Sequence, residues 1–151
     1  GKVKEINARK VYDESTKNYV LGISVMDKYK INEKNTYPSF KLHTNYSSIG
    51  GSGGAMTTLA IYNALLKDDV TKGKTIMGTG TISLDGTIGK IGGVSQKVVT
   101  AKLYNADIFF VDLDDYDIAY AKAQEIKANF PIVKVEKFTD ILKYLEGEGN
   151  G

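Results

Sequence analysis

Val94-Ser95-Gln96-Lys97-Val98-Val99-Thr100-Ala101-Lys102-Leu103-Tyr104-Asn105-Ala106-Asp107-Ile108-Phe109-Phe110-Val111 changes its hydrophobic period part-way along. Val94, Val98 and Ala101 fall at offsets 0, 4 and 7, one face of an α-helix. Asp107 to Val111 is a short apolar run of strand length. The same exchange of periods continues downstream. Ala119, Ala123, Ile126 and Phe130 mark a helix before Pro131, Ile132 to Val135 reads as a strand, and Phe138, Ile141, Leu142 and Leu145 mark a short last helix. Strands that alternate with helices predict an α/β fold.

Upstream, Ala55, Leu59, Tyr62 and Leu66 at offsets 0, 4, 7 and 11 predict a helix that begins at a glycine-rich loop. Thr75 to Ser83 reads as one strand, and Asp85-Gly86 marks a turn. The first third of the chain is mostly strand: Tyr19, Leu21, Ile23 and Val25 alternate with smaller or polar neighbours, as do Phe40, Leu42 and Thr44. Between them Asp27 to Pro38 is polar, with Asn32, Asn35 and a proline, and reads as a loop. The expected architecture is a single domain over residues 1–146, with an N-terminal strand-rich half and an alternating β/α C-terminal half. Residues 147–151, rich in glycine, read as a flexible tail.

Composition narrows the classes of function. The chain has 151 residues, 42% of them apolar, and a domain of this size buries about 70% of its unfolded surface, enough for one core. Twenty basic residues stand against 18 acidic ones, so a net charge of +2 exerts no general pull on nucleic acid or anionic membrane. Ten tyrosines without a basic cluster do not make a stacking platform for single strands. Cysteine is absent, which removes disulfides, thiolate catalysis and cysteine zinc sites. No apolar run approaches the roughly 20 residues of a spanning helix. The chain starts with Gly1, so it is expected to be an excised domain whose targeting segments lie elsewhere.

Ser52 lies in Ile49-Gly50-Gly51-Ser52-Gly53-Gly54-Ala55-Met56, directly before the first predicted helix. A serine is a poor nucleophile unless a base takes its proton and donors wait for the oxyanion. The loop can supply the donors: its glycines permit positive φ and a close substrate approach, and the helix aims free N–H groups and its positive dipole end at the same spot. The alternative is a glycine turn in which Ser52 only caps the helix. Phosphate binding fails on spacing. Gly73-Lys74-Thr75 would need a glycine at position 68, where Asp68 stands.

Lys97 is the candidate base. A lysine serves as one only when neutral, which requires its pKa to fall from about 10.4 toward about 7 to 8 through burial or a nearby positive dipole. Lys97 borders the apolar stripe Val94-Val98-Ala101 near a predicted helix N-terminus, whereas Lys90 sits in a turn and Lys102 faces outward. The competing account is a simple surface charge, the fate of most lysines.

Two stretches now carry a resemblance. Gly50-Gly51-Ser52-Gly53-Gly54 resembles the Gly-Pro-Ser-Ala-Gly loop of the proteolytic domain of Lon-type proteases. Gly78-Thr79-Gly80-Thr81-Ile82-Ser83-Leu84-Asp85-Gly86-Thr87-Ile88-Gly89-Lys90-Ile91-Gly92-Gly93-Val94-Ser95-Gln96-Lys97 is similar to that family's Thr-Gly-Glu-Ile-Thr-Leu-x-Gly stretch leading to Ile-Gly-Gly-x-x-x-Lys. The resemblance runs from about Arg9 to Leu145. It implies Ser52 as nucleophile, Lys97 as general base and Thr79 as a hydroxyl that orients the amine, with Gly50, Gly51 and Gly53 around the oxyanion and substrate. The wording of the second block is most similar to the smaller Lon-like proteins in which a membrane anchor and a PDZ domain replace the ATPase. That implies a membrane-anchored parent with this domain outside the cytoplasm, a cytoplasmic location being the alternative. The chain departs from the family at Gly51 in place of proline, at Gly53 in place of alanine and at Ser47-Ser48 in place of Lys-Asp, which implies a looser nucleophile loop.

Other clusters read as structural. His43, the only histidine, alternates onto the face opposite Phe40 and Leu42. Asp112, Asp114, Asp115 and Asp117 break calcium-loop spacing and read as acidic residues at a helix N-terminus. The expectation is thus an ATP-independent serine endopeptidase acting on peptide or unfolded protein segments, with no metal, no cofactor and no nucleic-acid partner. Membrane contact would come only through segments outside this chain, and the resemblance admits a homo-oligomer. The rival reading is an inactive Lon-like binding or assembly module.

Overall fold

The computed structural model of the chain describes residues 11–14, 17–20 and 50–147. These fall in two compact units, residues 1–39 and 40–151. In the first, β1 (Val11–Asp13) pairs antiparallel with β2 (Asn18–Val20), placing Val11 opposite Val20 and Tyr12 opposite Tyr19. The predicted strands at Leu21–Val25 and Phe40–Thr44, the loop at Asp27–Pro38, His43 and Ser47-Ser48 lie outside the described residues.

The second unit contains α1 (Gly54–Leu65), β3 (Ile76–Gly78), β4 (Thr81–Ile82), β5 (Ile88–Gly89), α2 (Val94–Leu103), β6 (Ile108–Asp112), α3 (Tyr116–Glu125), β7 (Ile132–Val135) and α4 (Phe138–Glu146). The mixed α/β class is as expected. Its centre is a parallel sheet in the order β3-β6-β7. All five residues of β6 are buried. Strand pleating sends Phe109 and Val111 to one face, where they pack with Val94, Val98 and Ala101 of α2 and Ala119 and Ala123 of α3. Ile108 and Phe110 go to the other, against Ala55 and Leu59 of α1 and Ile141 and Leu145 of α4. A strand covered on both faces has no polar side to show, which is why Ile108-Phe109-Phe110-Val111 reads as a continuous apolar run.

The α2 stripe is buried as its period predicts. The α1 stripe is right for Ala55 and Leu59, but Leu66 is the exposed C-cap, one residue past the helix. The single strand expected over Thr75–Ser83 is broken in two. Thr79 N–H donates to Phe110 O at 2.9 Å, whereas Gly80 N–H turns to Ser52 O at 2.9 Å, so the chain leaves the parallel sheet there. Gly80 has φ +155, and a Cβ on it would stand 2.5 Å from Ile88 Cγ2. Beyond the break β4 and β5 form an antiparallel hairpin closed at the predicted Asp85-Gly86 turn, where Gly86 has φ +81.

The connection from α1 to β3 is built around Asp69. Its carboxylate accepts from Thr71 Oγ1 at 2.8 Å and from Thr71 N, Gly73 N and Asn63 Nδ2, each at 2.9 Å. The Thr71 hydroxyl first, then the Gly73 and Thr71 N–H groups, hold this carboxyl down from its ordinary 3.8 to about 2.

Because the folded pKa is depressed, the stabilisation from Asp69 is complete above 3.8 and is lost as the pH falls through about 2. Asp69→Asn is therefore expected to flatten the pH dependence of thermal unfolding in that window, measured by circular dichroism. For packing, Phe110→Ala is expected to cost about 3–5 kcal/mol in urea titration. Leu84→Ala, at a residue 98% exposed, should stay within about 0.5 kcal/mol of the parent.

Candidate active site

In a parallel sheet the crossover helices run against the strands, so their N-termini gather at the carboxyl edge. α1 leads through the Asp69 connection to the start of β3, and α2 leads to the start of β6. Their first turns therefore lie at the edge where β3 ends. Ser52 precedes α1, Lys97 is in the first turn of α2, and Thr79 is the first residue after β3. The two helices belong to opposite layers of the sheet and share only this edge.

Ser52 sits in a single 3₁₀ turn, Gly51–Gly53, that runs directly into α1. Gly53 N–H donates to Gly50 O at 3.1 Å and Gly54 N–H donates to Gly51 O. The N–H groups of Gly51 and Ser52 come first in this helical run and have no carbonyl within it to bond. The cap positions are Gly50 and Gly53, neither with a side-chain capping bond. Ser52 is thus not the capping serine of the alternative reading. Its side chain is half-buried, and among the described residues its hydroxyl makes no hydrogen bond.

The expected use of the loop glycines needs correction. Gly50, Gly53 and Gly54 have φ of −73, −92 and −57, and Gly51 is not among the positive-φ glycines. Closeness, not handedness, explains Gly54: a Cβ there would stand 3.1 Å from the Ile82 backbone nitrogen. The missing side chain lets α1 start against β4.

The carbonyl of Ser52 is held twice. Thr79 Oγ1 donates to it at 3.0 Å and Gly80 N–H at 2.9 Å. Thr79 is 2% exposed. Its hydrogen is engaged by Ser52, which leaves the hydroxyl oxygen able to accept from an amine. The structure thus joins Thr79 to the loop that carries Ser52.

Lys97 is half-buried on the first turn of α2, next to buried Val98. Among the described residues its amine has no hydrogen bond or ion pair, and none links it to Ser52. Lys90 is exposed, as expected, and Lys102 donates to Ile126 O at the far end of the helix. The acidic run does cap a helix start: Asp112 Oδ1 accepts from Asp114 N–H at 3.0 Å. Sequence reasoning missed the special place of Asp115, whose Oδ2 accepts from Ile91 N–H at 2.7 Å. A bond across 24 residues leaves no local signal. No group of His, Asp and Glu able to hold a metal occurs among the described residues, and none of their helices is long and apolar enough to cross a membrane.

Residues 11–146 match the family described as the Lon protease (S16) C-terminal proteolytic domain. The chain belongs to that family. A Lon protease of Metamycoplasma arthritidis (strain 158L3-1) is 33% identical over 96 residues, which cover 64% of this chain and 11% of that protein. The chain thus spans a small part of the length of this relative. The family is one of serine peptidase proteolytic domains, and in this chain the loop that carries Ser52 is held by Thr79.

Thr79→Val keeps the shape of the side chain and removes the donor to Ser52 O. It is expected to cost about 1–2 kcal/mol in denaturant unfolding. Hydrogen exchange at the Gly80 amide, which shares that acceptor, should speed up in the same variant.

Proposed function

We propose that the chain is an ATP-independent serine endopeptidase domain that cleaves peptide or unfolded protein segments with a Ser52-Lys97 dyad. The carrying observation is the Ser52 hydroxyl at the start of α1, without a hydrogen bond among the described residues, on a loop whose carbonyl is held by Thr79 and Gly80; Lys97, in the first turn of α2, fits as its base.

In this reading the neutral Lys97 amine takes the proton from Ser52 Oγ as the oxygen attacks the scissile carbonyl carbon. Negative charge moves onto the carbonyl oxygen, where the Gly51 and Ser52 N–H groups and the positive end of α1 stabilise it. The protonated amine then gives its proton to the leaving nitrogen as the C–N bond breaks, leaving an acyl ester on Ser52. Water repeats the cycle: Lys97 takes its proton, the hydroxide attacks the ester, and Ser52 is regenerated with release of the acid. Thr79 accepts from the amine while its own hydrogen holds Ser52.

ATP independence is supported by the similarity of the Gly78–Lys97 wording to Lon-like proteins that lack the ATPase. The Gly78–Lys97 wording supports the PDZ-linked, membrane-anchored subtype for the parent protein. A homo-oligomer fits the same reading.

A fluorophosphonate or peptide boronate probe is expected to modify Ser52, read by mass spectrometry of the intact chain and its peptides. Ser52→Ala and Lys97→Ala should each abolish the modification. Labelling of either variant at the parental rate would overturn the dyad.

A further inference from the structure

The bond from Ile91 N–H to Asp115 Oδ2 has a place in the fold that the rest of the acidic run does not share. Asp115 is 6% exposed and closes the single 3₁₀ turn Leu113–Asp115, which leaves the carboxyl end of β6 without a linker. The turn is itself tied back by Asp112. The carboxylate is therefore mounted on the fully buried central strand.

Its partner stands at the approach to α2. Ile91 is followed by Gly92 and Gly93, and Gly93 is the N-cap of α2 with φ 73 and ψ 31 and no side-chain capping bond. Two glycines in succession leave this backbone more conformations than any other pair of residues would. Val94 and Val98 hold the helix to the core by apolar packing, which has no direction of its own. Packing fixes the depth of α2 and does not by itself set the direction of the segment that leads into it. Ile91 packs against the same core, and a hydrogen bond to a buried oxygen adds direction: the Ile91–Asp115 bond is the one side-chain hydrogen bond on this approach among the described residues. Four residues past the glycine pair, the first turn of α2 carries Lys97.

We propose that Asp115 is a positioning residue for Lys97: its carboxylate holds Ile91 so that the glycine pair starts α2 with the amine directed at Ser52. The inference rests on the serine-lysine reading above. Asp115 touches neither the nucleophile nor the substrate, so its loss slows proton removal from Ser52 and leaves probe binding alone.

Fluorophosphonate labelling of the full chain, measured over a range of probe concentrations, separates the maximal rate from the half-saturating concentration. Asp115→Ala is expected to lower the maximal rate by about tenfold to a hundredfold, the effect of misplacing a reacting group by about 1 Å, with the half-saturating concentration unchanged. Asp115→Asn keeps an acceptor oxygen and should recover most of the rate. Asp115→Glu keeps the charge, displaces the oxygen by one methylene and should be slow although folded, so it decides the matter if the alanine variant unfolds. Leu145→Ala, a core change on α4, provides a variant of lowered melting temperature that should label at the parental maximal rate. A parental rate in Asp115→Ala or a folded Asp115→Glu, or an equal loss in Leu145→Ala, overturns the positioning role and leaves the dyad standing. No labelling of the parent chain at Ser52 overturns the dyad and this inference with it.

Discussion

Ile108 and Phe110 leave one side of β6, Phe109 and Val111 leave the other, and each pair closes a separate core. Both faces of the central strand must be covered, and parallel pairing with β3 and β7 requires helical crossovers to do it. α2 and α3 cover one face, α1 and α4 the other. From this constraint helices that run against the strands start at the carboxyl edge, so the starts of α1 and α2, in opposite layers, both lie there.

The break after β3 shapes that edge around Ser52. If Thr75–Ser83 continued as one strand, the Gly80 amide would stay in the sheet and Ser52 O would lose it as a donor. Because the chain turns at Thr79-Gly80, one buried hydroxyl and one backbone N–H converge on the carbonyl of Ser52. The close packing of Gly80 against Ile88 and of Gly54 against Ile82 lets the hairpin and α1 crowd around that turn. The glycines that look like conformational freedom in the sequence serve here as clearance.

The helices of the second unit were legible because each has one buried stripe: Val94, Val98 and Ala101, or Ala119 and Ala123, repeat at the helical period against a flat sheet. β6 and β7 were legible as apolar runs between helices. The errors have physical causes. Leu66 continues the α1 period numerically, but the helix stops at Leu65, and an apolar residue at a C-cap looks like one more turn. Thr75–Ser83 has strand composition throughout, and nothing local says that its two halves pair with different partners in different directions. Asp115 looks like one of four equivalent acidic residues until Ile91 is folded beside it.

By itself the sequence determined the α/β class, the faces of the helices, the turn at Asp85-Gly86 and the residue types for serine-lysine chemistry, because period, turn propensity and side-chain chemistry are local properties. Only the tertiary structure decided that Thr79 holds the Ser52 carbonyl, that Ser52 is not a cap, and that Asp115 restrains the approach to α2. Each of these is a hydrogen bond or packing contact between segments far apart in the chain. Which distant donor finds which acceptor is set by how the two layers close on β6.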